Sequence, residues 1–245
     1  METTFRDQDA GAVAYTLKRS SRRRRTISLS VDPMHGLVVA APVRTPTREI
    51  DAFVKGKTRW IRKALASARD RERHLRRNFA TGESIPYLGG TLTLRIVEAG
   101  RAARPAVELV GTCLDVRLAV GTSECQRGSL IRTSIEGWYK ARAEATIAER
   151  VRSLAPLAGV QPKRVVVKSQ KTRWGSCGGD GTLYFSWQLV IAPLSVLDYL
   201  VVHELCHLRQ GGHGKRFWAL VEAVLQDYQS RRAELRREGW RYRIC

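Results

Sequence analysis

A chain of 245 residues suits one or two domains and can bury a sizeable core. Its 43% hydrophobic content excludes a disordered chain, and no apolar run approaches the ~20 residues of a membrane span, so no membrane partner is expected. With 43 Lys+Arg against 23 Asp+Glu, the formal charge of +20 attracts phosphate, nucleic acid or acidic protein, although arginine-rich solvated faces account for it at least as well.

The N-terminal stretch METTFRDQDAGAVAYTL carries acidic residues and lacks the apolar segment of a secretory signal. The five cysteines (Cys113, Cys125, Cys177, Cys206, Cys245) are scattered and form no C-x-x-C pair, which fits reduced thiols. Both features point to a cytoplasmic protein.

Residues 1–12 read as a flexible tail, and 13–122 as a β-rich domain with a helical insertion. TISLSVD sets Ile27, Leu29 and Val31 on one face; Asp32–Gly36 is a turn signal, and LVVAAPV completes a hairpin. Arg22 to Arg25 precede it, as a charged strand edge or as a nucleic-acid patch. Thr45-Pro46 opens a helix with Thr45 as N-cap, Ile50, Phe53 and Val54 as its apolar face and Gly56 at its end. A second helix starts near Thr58, carries Trp60, Ile61, Ala64, Leu65 and Ala68 at helical spacing, and turns polar in RDRERHLRRN. Strand signals return in SIPYLGGTLTLRIVEA, AVELVG and CLDVRLAV, with Gly89-Gly90 as a hairpin turn. From 123 to 245 the character is mainly helical: a long helix over IEGWYKARAEATIAERVRSLAPL, a strand RVVVK, a loop SQKTRWGSCGGDG, an apolar strand TLYFSWQLVIA, and a helix opened by Pro193. The expected class is α+β, with no internal repeat.

That last helix contains H-E-x-x-H as His203, Glu204 and His207, with His213 six residues on, so three of the five histidines fall in eleven residues. Residues i and i+4 share a helix face, so His203 and His207 can bind one ion, while Glu204 reaches a water on that ion rather than the ion itself. Gly211-Gly212 is expected to end the helix through a left-handed cap and let His213 return as third ligand. Three imidazoles leave a tetrahedral fourth position open, as catalytic sites require. They suit one Zn²⁺ per chain, and also nickel, cobalt or manganese. Cys206 points about 100° away from His207 around the helix and reads as a packed thiol.

The block from Lys171 to Trp218 contains RWGSC at 173–177, the Trp187 segment, VVHELCH, the third histidine and the pair Phe217-Trp218. With these motifs the chain resembles the YgjP-like metallopeptidase family, a zincin-like group related to SprT-type proteases. The weaker part of the resemblance runs from about residue 15 through DYQSRRAELRREG. It implies a zincin-like catalytic domain behind a β-rich region, His203, His207 and His213 as metal ligands, Glu204 as catalytic acid/base, and a peptide or protein as substrate. The longer metzincin pattern fits less well, because Gln210 stands where that pattern has glycine. Arg173 is a candidate for binding a substrate carboxylate or phosphate or the oxyanion; Ser176, Tyr184 and Tyr199 are further candidates at the substrate or oxyanion. A loop that only buttresses the metal helix explains RWGSC equally well.

The leading expectation is zinc-dependent peptide hydrolysis with Glu204 as general base and then general acid. A metal-dependent nucleoside-triphosphate pyrophosphohydrolase is one alternative, since the basic surface would draw nucleotides, although no P-loop is present. The other is a non-enzymatic protein that binds DNA or a nuclease complex, its metal a structural clamp.

Overall fold

Period-two alternation of apolar residues builds most of the strands, and each sheet buries one face under a helix. The structure is a computed structural model that describes residues 2–7, 11–32, 36–75, 77–100, 104–170 and 173–244. The fold is mixed α+β: among the described residues there are three small sheets and six α-helices, with strands concentrated in the N-terminal half and helices in the C-terminal half. The chain separates into two compact units, 1–76 and 77–245.

The first unit has a four-stranded sheet ordered β1-β2-β4-β3, formed by β1 (Glu2–Asp7), β2 (Gly11–Ser20), β3 (Ser28–Asp32) and β4 (Gly36–Pro42). The β3–β4 hairpin pairs as the alternation predicts, with Leu29 opposite Val39; Pro33 to His35 of its turn lie outside the described residues. β1 and the first residues of β2 occupy the segment read as a tail. Tyr15, Leu37, Val39 and Ala41 meet Ile50 and Val54 of α1 (Thr47–Lys55) and Ile61 of α2 (Thr58–Leu75) in one core. Thr45 is not the cap of α1; Pro46 holds that position and no side chain caps the helix. Trp60 is 47% exposed, because the face defined by Ile61 and Leu65 leaves it off the core.

The second unit begins with β5 (Ser84–Tyr87), β6 (Gly90–Ala99), β7 (Ala106–Val110) and β8 (Cys113–Ala119), ordered β5-β6-β8-β7. This repeats the first sheet's plan: two antiparallel hairpins joined by a central parallel pair, β2 with β4 and β6 with β8, followed by helix. The repeat lies in the topology, and no shared residue period announces it in the sequence. Position 122 falls inside this unit: Leu94, Leu114 and Val116 of the sheet share a core with Ile135, Tyr139 and Ile147 of α3 (Glu124–Leu154).

β9 (Arg164–Lys168), β10 (Gly175–Cys177) and β11 (Thr182–Ser186) form a third sheet, ordered β10-β11-β9. The apolar run TLYFSWQLVIA is not one strand. It leaves the sheet after Ser186 and turns through a short 3-10 segment, Trp187–Ile191. The β5–β6 turn grips that segment: the Leu88 and Gly89 amides donate to the Val190 and Ile191 carbonyls. Gly89 has φ +80, and a Cβ there would lie 2.9 Å from Pro193 Cα, so only glycine fits. Pro193 then caps α4 (Leu194–His207), which is buried on most sides by Val196, Leu197, Leu200, Val201, Val202 and Leu205. Arg150 of α3 holds the start of α4 through a two-pronged pair with Asp198, at 2.6 and 2.9 Å. α5 (Lys215–Val224), α6 (Tyr228–Glu238) and a 3-10 turn (Gly239–Tyr242) complete the chain.

Candidate metal centre

α4 ends at His207, earlier than the glycines suggest. Leu208 caps it in right-handed conformation, and the Arg209 and Gln210 amides both donate to the Cys206 carbonyl. Neither Gly211 nor Gly212 is left-handed. The tightened last turn sets the Gln210 carbonyl 3.0 Å from His207 Nδ1, which must donate to it. That fixes the tautomer and leaves the Nε2 lone pair of His207 facing outward.

The three Nε2 atoms form a near-equilateral triangle: 3.2 Å from His207 to His203, 3.2 Å from His207 to His213 and 3.1 Å from His213 to His203. Nitrogens bound at about 2.0–2.1 Å to one tetrahedral zinc lie about 3.3–3.4 Å apart. The donor set therefore fits a single ion, and it is the one His/Cys/Asp/Glu cluster with that spacing among the described residues. Phe217 of α5 forms the floor, its ring centroid 4.4 Å from that of His207 and 4.9 Å from those of His203 and His213. Trp218 closes one side, 5.9 Å from His203 and 5.8 Å from His213. Burial first, then the facing imidazoles, pushes His203 down to about 3, and burial also lowers His207, so these rings are neutral donors at ordinary pH.

Glu204 is 5% exposed. Burial pushes its carboxyl up to about 7 against the opposing charge of Arg173. The carboxylate lies directly against the backbone of β10: a Cβ on Gly175 would stand 2.7 Å from Glu204 Oε1. Because side chains alternate along a strand, Ser176 points to the other face from Gly175 and Cys177. The Cys177 thiol, on the same face as Gly175, is raised by burial first and then by the Glu204 charge.

A family model described as the YgjP-like metallopeptidase domain matches residues 25–238. The chain belongs to the YgjP-like metallopeptidase family. A solved structure, the metallopeptidase zymogen of Pyrococcus abyssi abylysin, resembles the chain with TM-score 0.35 and 20% identity over 40% of this chain and 97% of that one. So slight a likeness carries no argument about the site. No curated protein matches.

Membership in the YgjP-like family makes the chain a metal-dependent hydrolase of the peptidase class and implies a divalent ion, for which the His triangle is the fitting place. Of the residues expected from sequence, His203, Glu204, His207 and His213 come together, with buried Tyr199 one helical turn before His203 and 5.8 Å from its ring. Arg173 is exposed at the edge, near enough to influence Glu204. Ser176 is turned away and makes no side-chain hydrogen bond among the described residues. Tyr184 carries Lys168 Nζ 3.7 Å above its ring. Trp174 packs on the C-terminal turn, 6.5 Å from the Tyr242 ring and with Arg243 stacked at 4.5 Å. The Cys206 thiol, pushed up to about 11 by burial, stays protonated and outside the donor set. Sequence marks Phe217 only as part of the Phe217-Trp218 pair and gives Gly175 no role of its own. The glycine in RWGSC is the visible signal for Gly175, but only the distance to Glu204 gives it meaning. Among the described residues no helix is long and apolar enough to cross a membrane.

Proposed function

We propose that this chain hydrolyses peptide bonds, with His203, His207 and His213 holding one zinc ion and Glu204 moving the proton. The observation that carries this reading is the triangle of Nε2 atoms at 3.1–3.2 Å beside a buried carboxylate. Bound zinc supplies Lewis acidity that polarises a carbonyl and makes water acidic near neutrality. Glu204 accepts the proton of the attacking water at a carboxylate oxygen and delivers it to the departing amine. The Gly175 backbone keeps that carboxylate in place, and Phe217 and Trp218 exclude bulk water from the inner side of the rings. In this reading Arg173, whose charge reaches Glu204, and Tyr199, 5.8 Å from the His203 ring, are the candidates to stabilise negative charge on the carbonyl oxygen.

Glu204→Gln should retain stoichiometric zinc and lose about 10²- to 10⁴-fold in kcat. His213→Ala should lose zinc itself. Metal analysis beside peptide and casein hydrolysis, with and without chelator, reads both. Full activity of Glu204→Gln would remove the assignment, and chelator-sensitive turnover of nucleoside triphosphates without peptide cleavage would replace the substrate class.

A further inference from the structure

Tyr228, Arg232 and Arg236 recur every four residues on α6 and so form one stripe. Tyr228 stacks on Trp218 with ring centroids 5.4 Å apart and planes inclined by 12°. The guanidinium carbon of Arg232 lies 4.2 Å from the centre of the same indole. Trp218 is the ring that closes one side of the histidine triangle. The charges of Arg232 and Arg236 also reach Tyr199, which sits behind His203. Through Trp218 the stripe borders the metal centre, and it lies on a concave surface of α6 lined by Tyr228, Gln229, Arg232, Ala233, Arg236 and Arg237.

The surrounding arginines are occupied. Arg231 donates to Asp227 and to the Ser195 carbonyl, and Arg237 and Arg241 pair with Glu238. Arg232 and Arg236 have no carboxylate partner among the described residues. Stacking on Trp218 orients the Arg232 guanidinium without neutralising it, which leaves its planar donor fork available. An oriented Arg232 and an exposed Arg236 one turn on, neither with a carboxylate partner among the described residues, draw an anion to the edge of a peptidase centre, and the guanidinium fork matches a carboxylate.

We propose that Arg232 and Arg236 form a subsite for a carboxylate of the peptide substrate, so that the enzyme selects peptides with an acidic group close to the bond it cleaves. This rests on the peptidase reading above. A charge-assisted contact of about 1.5–3 kcal/mol corresponds to roughly 10- to 100-fold in affinity.

Binding, rather than turnover, tests it. Three fluorescent peptides are titrated by anisotropy against zinc-loaded Glu204→Gln protein. One is amidated with an internal Glu, the second is identical with Gln, and the third is the Gln peptide with a free C-terminal carboxylate. One carboxylate peptide should bind at least about tenfold tighter than the neutral one, and which of the two does so identifies the source. Arg232→Gln with Arg236→Gln should abolish that preference, while Arg241→Gln, which lies outside that surface and natively pairs with Glu238, should keep it. Equal or unmeasurable binding of all three peptides overturns the proposal. So does a preference that survives the double substitution, or displacement by a nucleoside triphosphate without discrimination among peptides. Hydrolysis is read separately on the wild-type protein: tenfold preference in binding with no cleavage of any peptide counts against the peptidase reading alone.

Discussion

Gly175 is the residue on which the site turns. A methyl group there would meet Glu204 Oε1 at 2.7 Å and Cγ at 2.9 Å, separations no stable structure tolerates. Gly175→Ala must move either the strand or the carboxylate. The expected outcome is a protein destabilised by about 1–3 kcal/mol, with zinc retained and hydrolysis reduced as severely as in Glu204→Gln. Urea denaturation, metal analysis and kinetics on one preparation check it, and near-normal kcat would show that the carboxylate is free to shift. The grouping of His203, Glu204 and His207 is legible in sequence because i, i+4 spacing on one helix is a local relation, and His213 follows only six residues on. Gly175 is not legible, since its partner lies 29 residues on and is brought to it by a strand–helix contact that no short pattern encodes.

Elements show the same division. The β3–β4 hairpin, α3 and the metal helix follow from alternation or helical spacing that persists over many residues. β10 escaped notice because it has only three residues, one of them glycine, and exists through pairing with β11. The run from Thr182 to Ala192 reads as one strand because it is mostly apolar; after its exit from the sheet at Ser186 it is held by the Leu88 and Gly89 amides, distant in sequence. The duplicated sheet plan was hidden because sheet order is not a residue period. In the second sheet, Arg95 and Asp115 are directly paired across the parallel strands β6 and β8, with Arg95 donating to both carboxylate oxygens at 2.7 Å. The hydrogen bonds from Arg95 lower the Asp115 pKa in the folded protein. A carboxyl whose folded pKa lies below its unfolded one adds stability above the unfolded value, and that stability disappears as pH falls through the folded value. Asp115→Asn should therefore cost about 1 kcal/mol at neutral pH, and the gap from wild type should close on acidification below about pH 4. Denaturant midpoints for both proteins across that range measure it; a gap constant with pH would refute the role.

At the scale of the molecule, two hydrophobic cores share no residue: one is built from Tyr15 to Ile61, the other from Phe79 to Tyr242. Calorimetry should resolve two transitions. Ile50→Ala and Leu114→Ala, each costing about 2–5 kcal/mol, should each lower a different one; a single transition moved by both would contradict independent cores. Chelation should lower only the transition that Leu114→Ala moves, since zinc at 100 times its dissociation constant stabilises by about 2.7 kcal/mol. The burial of α4 carries this further. With Val196, Leu197, Val201, Val202 and Leu205 embedded in the core and Asp198 tied to Arg150, the helix has nowhere to go when the ion departs. On the proposed reading zinc would enter a site whose helix is already in place, and far-UV circular dichroism should be the same for stripped and loaded protein while the melting temperature differs. If that reading holds, His203 and His207 are presented without refolding, so the rate of metal capture should be set by the approach of the ion, the shedding of its water and the short segment that brings His213, not by movement of α4.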